Sequence, residues 1–141
     1  MKYKVFISHG SGDKYLANHV REKLGEHGIH SFLDQVDVDI GLNFRTRILQ
    51  ELEDCDELLC LLTPTSIARA WISAEIGAAS VLKKTVVAVN CWVRDEELQE
   101  RGFYSLLGDV APIVFDDLMD DFDTYVASIR NRIGENSNEQ E

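Results

Sequence analysis

The chain has 141 residues, enough for one domain with a sizeable core, since a chain of ~150 residues buries roughly 70% of its unfolded surface. With 25 acidic against 14 basic residues, its formal charge of −11 argues against nucleic acid or an anionic membrane as main partner. Both select a basic face.

Much of the charge is local, in Asp116, Asp117, Asp120, Asp121 and Asp123 and in the Glu-rich end, which leaves room for a cationic pocket elsewhere. The three cysteines, Cys55, Cys60 and Cys91, are odd in number and lack CxxC spacing, so they read as core thiols of a reducing compartment rather than a disulfide or metal site. No apolar run approaches the ~20 residues of a membrane span, and the N-terminus enters a strand pattern directly. A cytoplasmic protein is expected.

Residues 2–8 read as a strand with the apolar run Val5, Phe6 and Ile7. The stretch His9-Gly-Ser-Gly-Asp13 breaks it, and Asp13 can cap a helix carrying Leu16, Ala17, Val20 and Leu24. Gly28 is placed to end that helix in the left-handed conformation. A short second strand over 29–33 leads to Asp34 and a loop at 35–43, where Asn43 can cap a helix with the stripe Phe44, Ile48, Leu49 and Leu52. The third strand, 57–62, is apolar on both faces. A helix is expected over 63–82, opening after Pro64 with Thr65 or Ser66 as cap. The fourth strand covers 85–91, a short helix 96–101, a fifth, edge strand 111–115, and a last helix carries Phe122, Tyr125, Val126, Ile129 and Ile133. The domain is expected over 1–133, with an acidic, disordered tail at 134–141.

Strands alternate with helices, and the central strands lack polar alternation. That combination indicates a parallel sheet covered on both sides: an α/β three-layer sandwich of five strands in the flavodoxin-like order 2-1-3-4-5. Ligands of such sheets bind beyond the carboxyl ends of the strands, near the switch between the first and third. The loops at 8–12, 34–44 and 63–71 meet at that edge.

On a helical wheel of 63–82, Ile67, Ala68, Trp71, Ala78, Ala79 and Leu82 gather on one side, widened by Ile72. Glu75 falls in the middle of that side, one turn after Trp71. A carboxylate there must be paired, protonated or lining a cavity. It is either catalytic or a structural partner of Arg45, Arg47 or the loop backbone.

Other residues carry two readings each. The loop Ser8-His9-Gly10-Ser11-Gly12 is neither a Walker A nor a GxGxxG sequence; it either cradles phosphate on backbone N–H groups or makes a tight turn. His9 is a candidate acid or base, or a plain hydrogen-bonding residue. Asp34 is a candidate for ribose hydroxyls, or a loop cap. Arg45 and Arg47 open a helix whose dipole opposes their charge, which favours a task such as pairing Glu75 or a phosphate. A nucleophilic triad is unconvincing, because only His9 is placed near the cleft. Phosphoacceptor chemistry of the receiver type wants an acidic pair where Ser8-His9 stands.

Taken together and in order, Lys4-Val-Phe-Ile-Ser-His9, Phe32-Leu-Asp34, Gly41 with Phe44-Arg45, Leu61-Leu-Thr-Pro-Thr-Ser66 and Trp71-Ile-Ser-Ala-Glu75 resemble a Toll/interleukin-1 receptor (TIR) domain of the bacterial, standalone type. The resemblance covers roughly residues 2–132. It implies the flavodoxin-like fold and one of two tasks: cleavage of NAD at the nicotinamide–ribose bond, or non-enzymatic signalling. Under the first, Glu75 is catalytic, and Ser8, His9, Gly10, Asp34, Phe44, Arg45 and Trp71 contact NAD, which is a substrate; no cofactor or metal is implied. The loop 35–43 resembles the loop that gates the site and mediates self-association. Two departures stand out: Gly10-Ser11-Gly12 replaces a more usual serine-rich stretch, and Phe44 stands where tryptophan is common. The resemblance also implies a nucleotide product, ADP-ribose or a cyclic isomer, acting as a signal to a downstream effector in prokaryotic antiphage defence. The alternatives are a TIR–TIR scaffold module or an effector that interferes with a host.

Overall fold

A computed structural model of the chain describes residues 3–33, 44–108 and 111–139. Five strands, β1 (Lys4–Ser8), β2 (His30–Leu33), β3 (Glu57–Leu62), β4 (Thr85–Asn90) and β5 (Ile113–Val114), pair in parallel in the order β2-β1-β3-β4-β5. Ser8 at the end of β1 is in register with Cys60 of β3.

The absence of polar alternation has a direct cause. Successive side chains of a strand point to opposite faces, and both faces here are covered. Val5, Ile7, Leu59 and Leu61 enter one layer with Ala17, Val20 and Leu24 of α1 (Lys14–Glu26) and Tyr125, Val126 and Ile129 of α7 (Phe122–Glu139). Phe6, Leu58, Cys60 and Leu62 enter the other. They meet Leu52 of α2 (Phe44–Glu53), Ile72, Ile76 and Ala79 of α3 (Ala70–Val81), Leu98 of α4 (Asp95–Glu100) and Phe103 of α5 (Phe103–Leu107). The result is the three-layer, flavodoxin-like sandwich. Gly28 adopts φ +76 just past α1, the left-handed stop expected of it.

Several expectations are corrected. No helix opens after Pro64: a 3-10 turn at Ser66–Ala68 is followed by extended Arg69, and α3 starts at Ala70. Of the expected stripe, Ile72, Glu75 and Ala79 are buried as anticipated, but the later start turns the face so that Ile76 joins them and Ala68 is exposed. Leu49 of α2 is exposed as well, whereas Leu52 is buried. The acidic run after β5 begins as a helix, α6 (Phe115–Asp120), which Leu118, with the partly buried Phe115 and Met119, seats on the core. Finally, α7 continues to Glu139, so residues 134–139, expected in a disordered tail, are helical. Extending a helix already nucleated on a packed face costs little per residue, and no proline stops it. No helix among the described residues is long and apolar enough to cross a membrane.

Candidate functional site

Ser8 lies on the same face of β1 as Phe6, and that face receives α3. Its hydroxyl donates to Oε1 of Glu75 at 3.2 Å. Both are buried at the carboxyl edge of the sheet, Ser8 at 0% and Glu75 at 1% exposure. A carboxylate has thus been taken out of water where open α/β sheets bind ligands. Its field is felt nearby: burial first, and then the charge of Glu75, hold the Cys60 thiol well above its ordinary range.

The loop after β3 positions α3 through a locked turn. The N–H of Thr63 donates to Oγ of Ser66 at 2.9 Å, the N–H of Ser66 donates to Oγ1 of Thr63 at 3.0 Å, and the Ser66 hydroxyl donates to the Leu61 carbonyl at 2.8 Å. Ser66 is therefore spent across the turn rather than on capping a helix. Thr63 in turn donates its hydroxyl to Oδ2 of Asp13 at 2.6 Å. Asp13, expected to cap α1, makes no side-chain cap bond and instead ties the loop after β1 to the loop after β3. Gly10 permits the two to close. A Cβ there would lie 2.8 Å from Oδ2 of Asp13 and 3.2 Å from Cα of Ser66. The Gly10 carbonyl accepts from the N–H of Asp13 at 3.0 Å, so this stretch is a tight turn.

His9 is buried, 3% exposed, with Nδ1 at 2.8 Å from the Gly10 carbonyl oxygen. The structure thus brings Ser8, His9, Gly10 and Glu75 to one edge. Trp71 lies in α3 one turn before Glu75, and Phe44 and Arg45 open α2. The side chains of these three, with all of Asp34 and the loop 35–43, lie outside the described residues. Sequence reasoning missed the Asp13–Thr63–Ser66 tie; its one visible signal was short polar side chains in both loops, with Gly10 beside them in the first. A separate surface pocket, lined by Asn90, Trp92, Val93, Val114, Phe115 and Asp116, lies at the ends of β4 and β5 and holds none of the expected site residues.

A second buried glutamate provides a contrast. Glu57, 0% exposed, begins β3 at the opposite, amino-terminal edge. It accepts from Tyr3 Oη at 2.9 Å, Tyr125 Oη at 2.6 Å and Arg132 Nε at 2.5 Å, and so fastens α7 to the sheet. Its surroundings are those of a structural clamp, away from the ligand edge.

Comparison with known proteins agrees with this architecture. The TIR domains of the activated Roq1 resistosome that recognises the pathogen effector XopQ superpose with a TM-score of 0.61 at 16% identity, covering 94% of this chain and 99% of that one. The TIR domain of the Toll-related receptor TRR-2 from Hydra magnipapillata gives 0.58 at 17% identity, covering 95% and 98%. A diflavin flavoprotein A3 from Nostoc sp. gives 0.52 at 12% identity, covering 82% and 79%. At these identities the likeness concerns the fold. Among curated proteins, none matches the sequence. The family model of the TIR domain, however, matches residues 5–129, nearly the whole chain. On that match, the chain belongs to the TIR-domain family.

Proposed function

We propose that this TIR domain is an NAD-consuming enzyme in which Glu75 is the catalytic carboxylate. The observation that carries the reading is Glu75 itself, buried at the carboxyl edge of the sheet and oriented by the Ser8 hydroxyl at 3.2 Å. Nicotinamide in NAD is already a cationic leaving group. As the N-glycosidic bond breaks, its electron pair stays with the pyridine nitrogen and neutral nicotinamide departs. The ribose carbon left behind develops oxocarbenium character, which a carboxylate held in a low-dielectric pocket stabilises. Ser8 keeps that carboxylate in one rotamer, and Trp71, one turn earlier, is assigned to the wall of the ribose or nicotinamide pocket. Gly10, Asp34, Phe44 and Arg45 are assigned to the remaining contacts with the nucleotide. An acceptor then completes the reaction: water yields ADP-ribose and a proton, a nucleophile within the nucleotide yields a cyclic isomer, and another molecule yields a conjugate.

Self-association through the loop 35–43 belongs to the same reading. It is in keeping with the resistosome in which one structural neighbour sits. A nucleotide product would serve as a signal to an effector in prokaryotic antiphage defence. The test is nicotinamide release, followed by chromatography, from NAD incubated with concentrated protein under crowded conditions, beside Glu75→Gln. Release lowered on the order of 100-fold or more in the variant is expected. Equal release from both, or none from the parent, overturns the reading in favour of a TIR–TIR interaction module.

A further inference from the structure

Among the described residues, His9 is held at the sheet edge by a single bond of its ring. Its Nδ1 lies 2.8 Å from the Gly10 carbonyl oxygen. A carbonyl oxygen only accepts, so Nδ1 must hold the proton of that bond. In the neutral ring Nε2 is then a bare lone pair, and the tautomer is fixed by the backbone rather than by solvent. That Nε2 is buried and meets no hydrogen-bond partner among the described residues. The ring is 3% exposed, so it is shielded from bulk water. A buried acceptor left without a donor is costly, and one kept in a native fold calls for a function, of which receiving a ligand's donor is one. His9 follows Ser8 directly in the chain, and the Ser8 hydroxyl touches Glu75. The vacant acceptor therefore stands at the same sheet edge as the candidate carboxylate.

We propose that His9 is a specificity-determining residue whose Nε2 accepts a hydrogen bond from a neutral donor of the bound nucleotide, a hydroxyl or an amide N–H. The inference rests on the enzyme reading only for the identity of the nucleotide, NAD. Its content is the sense of the bond. A ring fixed in this tautomer attracts hydroxyl and amide donors, and it repels phosphate oxygens, which bring lone pairs of their own. The loop after β1 would thus read a sugar or carboxamide part of the ligand, whereas a phosphate-cradling loop would seek the opposite polarity.

The test uses the full chain labelled with ¹⁵N-histidine, in a Glu75→Gln background so that NAD is not consumed. Long-range ¹H–¹⁵N spectra are expected to give His9 a protonated Nδ1 and a bare Nε2. On titration with NAD the Nε2 resonance is expected to move toward the hydrogen-bonded range. Separate titrations with nicotinamide and ribose 5-phosphate identify the donor as amide or hydroxyl, and inorganic phosphate is expected to leave Nε2 unmoved. An Nε2-protonated ring, no response to NAD, or a response to inorganic phosphate alone overturns the proposal. As a second measurement, His9→Phe keeps a ring without an acceptor and should weaken NAD binding by ~10- to 100-fold. His9→Gln restores an acceptor and should recover most of that loss; equal weakening in both variants, or none in either, refutes the assignment. The two readings fail separately. Nicotinamide release with an unmoved Nε2 removes this proposal alone, and a responding Nε2 without release removes the enzyme alone.

Discussion

Replacing Glu57 with glutamine changes one buried atom and should cost the fold dearly. The carboxylate accepts from Tyr3, Tyr125 and Arg132, so both its oxygens are engaged by donors. A glutamine must turn its NH₂ toward one of those donors, and it strips Arg132 of its counter-charge. Breaking a fully buried ion pair from one side costs about 3–5 kcal/mol. The Arg132 side chain is 23% exposed, so water relieves part of its loss, and about 2–4 kcal/mol is the expectation. With about 3 °C per kcal/mol for a chain of this size, Tm should fall by on the order of 10 °C. Tyr125→Phe, which removes a bond to the carboxylate from a buried hydroxyl, should cost about 1.5–3 kcal/mol, and Tyr3→Phe less because Tyr3 is half-buried. Combined with Glu57→Gln, Tyr125→Phe should cost less than the sum of the two, since both act on one network. Thermal melts followed by circular dichroism give the Tm values and urea titrations the free energies. The per-molecule nicotinamide release of folded protein should be unchanged, because the clamp lies at the opposite sheet edge. A Glu57→Gln protein melting within a degree or two of the parent would refute the reasoning.

Two other expectations concern stability. Gly10→Ala places a methyl 2.8 Å from the Asp13 carboxylate and 3.2 Å from the Ser66 backbone, and should cost about 1–3 kcal/mol in urea titrations. Gly12→Ala, with nothing within 4 Å, should be close to neutral; similar values for the two would show that close approach is not what Gly10 provides. Burial, and then the Glu57 charge, push the phenols of Tyr3 and Tyr125 above their ordinary value near 10. Above pH 10 the unfolded chain therefore releases protons that the folded chain retains, so the stability these groups contribute is intact below pH 10 and is lost as pH rises beyond it. Urea midpoints at pH 8 and pH 11 should differ accordingly, and Tyr125→Phe should shrink the difference; a midpoint that holds steady to pH 11 contradicts the clamp.

What the sequence made legible were features written in local pattern. The double-faced apolar runs at residues 58–62 and 86–89 led directly to a covered parallel sheet. Glu75 stood out because a charge interrupts an apolar stretch, and the structure buries it. What stayed hidden depended on partners far along the chain. Glu57 reads as an ordinary polar strand start, since its partners are 54, 68 and 75 residues away. Asp13 and Ser66 each looked like a helix cap because a capping side chain and a cross-loop side chain have the same composition. Their real partners, Thr63 and the Leu61 carbonyl, belong to the turn and not to a helix. The helix α6 was masked by its own acidity and length: six residues, with Leu118 buried and Phe115 and Met119 half-buried beside it, are too few for a periodic signal.

The locked turn between β3 and α3 has a consequence for how this segment tolerates change in length. An α-helix advances about 100° per residue. The turn at residues 63–66, the 3-10 turn Ser66–Ala68 and extended Arg69 together set the angular phase at which α3 begins. A residue gained or lost between Leu62 and Ala70 would break the Thr63–Ser66 bonds and loosen that phase, and with it the placing of Glu75 against Ser8. Both the length of this segment and the two hydroxyls that lock it therefore set where the candidate carboxylate stands.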